Sequence, residues 1–215
     1  MWISYAQAAL WIDDRALFGH TLRVTGPNRL ANTAVGLAHL RARNYTDAGG
    51  GHLRTALALE PNFILACQHL AALLLDTGKA DEALPLLDKA VGLAPRAALN
   101  YYYRGLGLRA TGKLDEALAD FERALKIGLS EERAKRVHLE LGHVKTSQDK
   151  HSEALTHFKK AMEIDQFYYL AEKNLAFSYY RMKDYTTALY WFRQLQAINP
   201  ANEDVSNALK SIRTQ

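Results

Sequence analysis

Thirty-four residues separate two nearly identical phrases in this chain. TGKADEALPLLDKAV begins at Thr77 and TGKLDEALADFERAL at Thr111, while HSEALTHFKKAMEI from His151 matches YTTALYWFRQLQAI from Tyr185 at the same spacing of 34. A period of this length restricts the fold more than composition does. It describes one supersecondary unit that cannot bury its apolar face alone and stacks against copies of itself. Ala117 and Ala154 are 37 apart, so one junction carries three additional residues.

Within each unit a small–large–small triplet recurs at spacings of four and three: Ala83, Leu87, Ala90; Ala117, Phe121, Ala124; Ala154, Phe158, Ala161; and, with a larger third member, Ala188, Phe192, Leu195. Positions i, i+4 and i+7 share one helix face, so each triplet marks a helix that a neighbour approaches closely. Twelve residues ahead of each first alanine stands another small residue, Ala71, Gly105, Gly142 or Ala176. That residue is the contact point of a preceding helix. Each unit is therefore predicted to be a helix, a short turn and a second helix.

The string GLRATGKL, from Gly107 to Leu114, comes close to the phosphate-binding pattern G-x-x-x-x-G-K-[ST], with Leu114 where a magnesium-binding hydroxyl is needed. No alternating strand pattern precedes Gly107, as a phosphate loop requires. Its counterpart 34 residues earlier, DTGKADEAL, gives the bland account: Gly78 and Gly112 each close a first helix in a left-handed conformation, and Lys79 and Lys113 follow as solvated turn residues.

The period, the Gly/Ala of the first helix, the Ala…Phe…Ala of the second, and the prolines Pro61, Pro95 and Pro200 resemble the tetratricopeptide repeat. Leu129 and Gln166 replace the proline in two units, and Arg104 stands where an apolar residue is usual. The resemblance implies an all-α fold, a right-handed superhelical α-solenoid of helix-turn-helix repeats. Units are expected at about 29–63, 64–97, 98–134, 135–168 and 169–202, with a partial helical repeat over 1–28 and a capping helix over 203–215. In the cap, Val205, Ala208, Leu209 and Ile212 fall on one face. Gly49, Gly50 and Gly51 predict a frayed or bulged second helix in the first full unit, since glycine costs about 1 kcal/mol against alanine inside a helix. Ser130 is the expected N-cap of a lengthened helix, with Glu131 and Glu132 in its first turn.

At the front, Leu17, Phe18, His20, Leu22, Val24, Thr25 and Asn28 form a segment that resembles one in multi-spanning bacterial membrane proteins of the glycosyltransferase type, which end in tetratricopeptide arrays. That resemblance covers some 30 residues and implies the soluble tail of a longer relative, with no transferase residues in it.

Charge and chemistry remove several function classes. Net charge is +4, but 10 Lys/Arg face 8 Asp/Glu in residues 1–107 and 17 face 15 in the remainder, interleaved throughout. Nucleic-acid binders concentrate positive charge on a face or in a run. The densest basic group, Arg133, Lys135, Arg136 and His138, follows directly on two glutamates, so no nucleic-acid partner is expected. The single cysteine, Cys67, lies in an apolar run, permits no internal disulfide and fits a reducing compartment. The amino terminus lacks the basic start of a signal peptide and no apolar run approaches the ~18 residues of a spanning helix, so a cytoplasmic location is expected. His138 and His143 are five apart and His151 and His157 six apart, spacings that do not stack on a helix, and no metal or cofactor is expected. Without a nucleophile motif, the expectation is a protein that is not an enzyme.

What remains is surface. The tetratricopeptide resemblance implies that the first helices line a concave groove through positions that here include Tyr102, Leu106, Arg109, Leu139, His143, Lys173, Phe177, Tyr180 and Arg181. Aromatics mixed with Arg and Lys dominate binding hot spots, although Phe177 and Tyr180 fit packing between helices equally well. The family's clamp for chaperone tails wants a lysine followed four residues later by asparagine; Lys173 is followed by Phe177, so that ligand is not expected. The reading is a protein–protein interaction scaffold that binds a peptide or partner helix, favouring acidic ligands. Its alternatives are an accessory domain of a membrane glycosyltransferase-like protein and a self-assembling scaffold.

Overall fold

The computed structural model describes residues 14–26, 28–41 and 47–213. These form twelve α-helices and no strands: α1 Asp14–Thr25, α2 Arg29–Arg41, α3 Asp47–Leu59, α4 Ile64–Asp76, α5 Ala80–Leu93, α6 Ala98–Ala110, α7 Leu114–Ile127, α8 Glu131–Ser147, α9 His151–Ile164, α10 Tyr169–Arg181, α11 Tyr185–Ile198 and α12 Glu203–Arg213. The chain divides into two compact units, Met1–Asp120 and Phe121–Gln215. Residues 1–13 of the expected partial repeat lie outside the described residues.

The turns follow from backbone chemistry. After α4 and α6 the chain passes through Gly78 at φ +75° and Gly112 at φ +79°. The next N–H reaches back five residues, Lys79 to the Leu74 carbonyl at 2.7 Å and Lys113 to the Leu108 carbonyl at 2.8 Å. That bond satisfies carbonyls the helix end would leave bare. The turns after α8 and α10 repeat the geometry without glycine: Asp149 at φ +60° and Lys183 at φ +64° occupy the left-handed region, with Lys150 N–H to Lys145 O at 2.9 Å and Asp184 N–H to Tyr179 O at 3.0 Å.

In the first unit α2 packs on α1, α3 and α4, and α4 packs on α3, α5 and α6. Its core gathers Leu53, Leu70, Ala71, Leu73, Leu74, Ala83 and Leu87. One polar residue is built into it. The Asn100 side chain, fully buried, donates to the carbonyls of Ala90 at 2.7 Å and Ala94 at 3.3 Å and accepts from Gln68 Nε2 at 2.5 Å. It ties the end of α5 to α6 and α4.

In the second unit α8 packs on α9 and α10, α9 on α10, α10 on α11 and α11 on α12. One core cluster holds Leu139, Ala154, Leu155, Phe158, Ala161, Ala171 and Leu175, and another holds Ala176, Ala188, Phe192, Leu195, Val205, Ala208 and Leu209. Every member of the four triplets is fully buried, as are Ala71 and Ala176. At Gly142 a Cβ would stand 2.2 Å from Phe158 Cε1, so the glycine admits the α9 phenyl ring directly against the α8 backbone.

Two local expectations change. The three glycines at 49–51 lie inside regular α3 rather than at a bulged start. Gly50 is buried, and a Cβ there would come within 3.2 Å of Leu73 on α4, so close helix contact accounts for it. Ser130 does stand at the start of the 17-residue α8, but its side chain makes no capping bond. Its carbonyl accepts from Arg133 and Ala134, and the adjacent Glu132 is engaged by Lys135 and Arg136.

Candidate interaction site

Three of the nine sequence-nominated residues meet in one place. Lys173, Phe177 and Tyr180 lie along one side of α10 at spacings of four and three, and α12 brings Asp204, Asn207, Ala208 and Ser211 opposite them. The helices enclose an open concave site of about 570 Å³. Glu203 follows Tyr169 by 34 residues, so α12 stands where the first helix of a further unit would stand. Asn207 and Ser211 then occupy the places of Lys173 and Phe177 one period on. Extending the 34-residue register into the last helix would have found them; reading that helix only as a cap did not.

The site is braced. Lys173 Nζ lies 2.6 Å from Asp204 Oδ2 and 5.9 Å from the centre of the Phe177 ring. Tyr180 Oη and Ser211 Oγ share a hydrogen bond of 2.9 Å. The Phe177 and Tyr180 rings meet buried Phe192 edge-on, with centroids 5.0 and 6.3 Å away, an arrangement aromatic pairs favour. Asn202 Nδ2 donates to Tyr169 Oη at 2.8 Å, and Asn202 Oδ1 accepts from the Val205 N–H at 3.2 Å, fixing the start of α12. The packing reading of the two aromatics holds, since both rings meet Phe192, and each is half-buried.

The remaining nominated residues are distributed otherwise. Arg181 is exposed at the end of α10. Leu139 is a correction: it is 5% exposed and packs in the core with Phe158 and Leu175, so it offers nothing to a groove. His143 is half-buried and turns its ring edge towards Phe158, 6.0 Å between centroids. In the first unit Tyr102, Leu106 and Arg109 are half-buried along α6, with Tyr102 tilted against Tyr103 at 5.3 Å. The expected attraction for acidic ligands loses one contributor, because Asp204 already neutralises Lys173.

A second concavity, about 520 Å³ between α5 and α7, is filled with ion pairs. Arg104 grips Asp120 with Nε at 2.6 Å and Nη2 at 2.8 Å, and reaches Asp88 with Nη1 at 3.1 Å. Asp120 holds the guanidinium even more firmly protonated than usual. This explains the charged residue at a normally apolar place: acids 16 residues to either side receive it. The basic group near 133–136 is likewise compensated, with Lys135 held by Glu132 and Asp165 and Arg136 by Glu132. Cys67 is fully buried, and burial pushes its thiol pKa up. Among the described residues no group of three or more His, Cys, Asp or Glu is placed to hold a metal ion, and no helix is long and apolar enough to cross a membrane.

Comparison with known proteins gives a consistent picture. Residues 64–96 and 95–166 each match a family model described as tetratricopeptide repeat. Among solved structures, MamA residues 41 to the end from Desulfovibrio magneticus RS-1 is 26% identical, with 71% of this chain and 84% of that chain covered and a TM-score of 0.63. TTC0263, a thermophilic repeat protein of Thermus thermophilus, is 21% identical over 87% of this chain and all of that one, with a TM-score of 0.65. YrrB, described as having an unusual peptide-binding site, is 22% identical over 75% and 82%, with a TM-score of 0.61. No curated protein matches the chain.

Proposed function

We propose, from the premise that residues 64–166 are tetratricopeptide repeats, that this chain is a non-catalytic interaction scaffold that holds an extended peptide or a partner helix between α10 and α12. The repeat fold supports a protein partner in general. The observation that carries this particular site is the convergence of Lys173, Phe177 and Tyr180 with Asn207 and Ser211 around one open cavity. The half-exposed rings offer apolar area on a braced platform, which keeps the ordering cost of binding low. The exposed Asn207 amide presents both a donor and an acceptor to a peptide backbone. Because Lys173 and Asp204 cancel, the cavity itself selects for aromatic and aliphatic side chains. Any preference for a carboxylate rests on exposed Arg181 beside it.

Selection of a random dodecapeptide display library on the purified chain tests this reading. Enriched peptides should bind with dissociation constants of micromolar order, as a single small site supports. Phe177→Ala and Asn207→Ala should each weaken them about tenfold or more. A library without enrichment, or peptides indifferent to both substitutions, sinks the assignment.

A further inference from the structure

Sequence spacing set His138 beside His143 and His157 beside His151, but the fold pairs them differently. His138 on α8 and His157 on α9 stack across the hairpin, their ring centroids 5.8 Å apart and their planes 28° from parallel. Both rings are half-buried, and the Nδ1 atom of each is shut off from solvent with no hydrogen-bond partner among the described residues. A neutral imidazole can leave a bare nitrogen in such a place at modest cost. An imidazolium would carry a donor and a charge into a seam with nothing to receive either.

The surrounding charges do not offset this. Lys145 on α8 and Lys160 on α9 oppose a proton on the pair, against Glu153 and Glu163 on α9. From α10, which packs on both helices, the buried Glu172 is influenced by Asp165, Lys173 is held by Asp204, and Arg181 is exposed. On the part of α7 in this unit, Glu122, Arg123 and Lys126 are exposed.

We infer that the stacked imidazoles of His138 and His157 form an acid-sensitive latch on the α8–α9 hairpin: neutral, they fill the seam and keep it closed, and a proton on either ring opens it. Burial first, and then the neighbouring His138 ring, holds His157 at about 4, with His138 lowered by burial and then by Lys160. The opened hairpin regains ordinary histidines, so it takes up protons first as pH falls. The latch is fully effective above about 6.5 and is lost progressively towards 4. As the rings interact, the two steps belong to the pair rather than to either residue.

Urea unfolding of the full chain, followed by circular dichroism at pH 7.5 and 5.5, tests this. The lower pH stays above the ordinary carboxylate range, leaving the ion pairs intact. The unfolding equilibrium constant of the native chain should rise about tenfold or more on acidification. In the double variant His138→Gln, His157→Gln the rise should shrink to about threefold or less, whatever its absolute stability. An undiminished rise in the variant, or a flat native profile, overturns the latch. Should the variant not fold, titration of the native imidazole resonances decides: midpoints below 6 for both rings support the latch, and midpoints at 6.5 or above refute it.

Discussion

Alanine in place of Gly142 isolates the packing that makes one repeat unit. In the structure the added methyl carbon would stand 2.2, 2.6 and 2.7 Å from Cε1, Cδ1 and Cζ of Phe158, all well inside the ~3.5–4.0 Å separation at which carbon atoms attract. The ring cannot swing away cheaply. It is fully buried among Leu139, Ala154, Leu155, Ala161 and Leu175, with His143 against its edge. Replacing a mid-helix glycine by alanine gains about 1 kcal/mol of helix propensity. Overpacking a filled core costs about 1–3 kcal/mol, and this clash belongs at the upper end. The net expectation is a loss of about 2 kcal/mol in urea unfolding. Gly92→Ala supplies the control, since that exposed helical glycine has nothing within 4 Å of its prospective Cβ. It should gain about 0.5–1 kcal/mol. Adding Phe158→Leu to Gly142→Ala should restore part of the loss, because the two positions are in contact and their effects are not additive. If Gly142→Ala alone is as stable as the native chain, the account of how α8 and α9 meet is wrong.

Other perturbations test other joints. Asn100→Ala takes the acceptor from the Gln68 amide and one of two donors from the Ala90 carbonyl, which keeps the Ala94 N–H at 3.0 Å, and should cost about 1–3 kcal/mol in thermal or urea unfolding; a loss under 0.5 kcal/mol would mean that the network is not where the fold places it. Lys183→Gly relieves a left-handed lysine and should raise stability by about 0.5–1 kcal/mol, whereas Gly112→Ala at φ +79° should lower it by about 1 kcal/mol. Arg104→Met abandons the nearly buried Asp120 and should cost about 2 kcal/mol at pH 7, with part of the loss recovered by adding Asp120→Asn, as a double-mutant cycle would show.

Much of the fold was legible because the constraint is local and repeated. A residue that must be small at Ala71 or Gly142, or large at Phe121 or Phe158, writes its period into the chain, and each proved fully buried or buried. The turns were legible only where glycine marked them, since Asp149 and Lys183 accept the same left-handed backbone without a signal in residue type. The site was half legible. Register nominated Lys173, Phe177 and Tyr180, but Asp204, Asn207 and Ser211 come from a helix whose apolar stripe spoke only of covering a core. Leu139 packs in the core, and register alone does not say how deeply a long helix is seated. The His138–His157 stack joins residues 19 apart on two helices, which single-helix spacing cannot reveal.

The central claim is that ligand meets this chain between α10 and α12. Amide chemical-shift mapping during titration with a display-selected dodecapeptide addresses it most directly. The account predicts that the saturating shifts cluster at Lys173, Phe177, Tyr180, Asn207 and Ser211 and vanish in Phe177→Ala. Shifts centred on α6, on the Arg104 cavity or on the outer faces of α9 and α11, with those five amides unmoved, would contradict it.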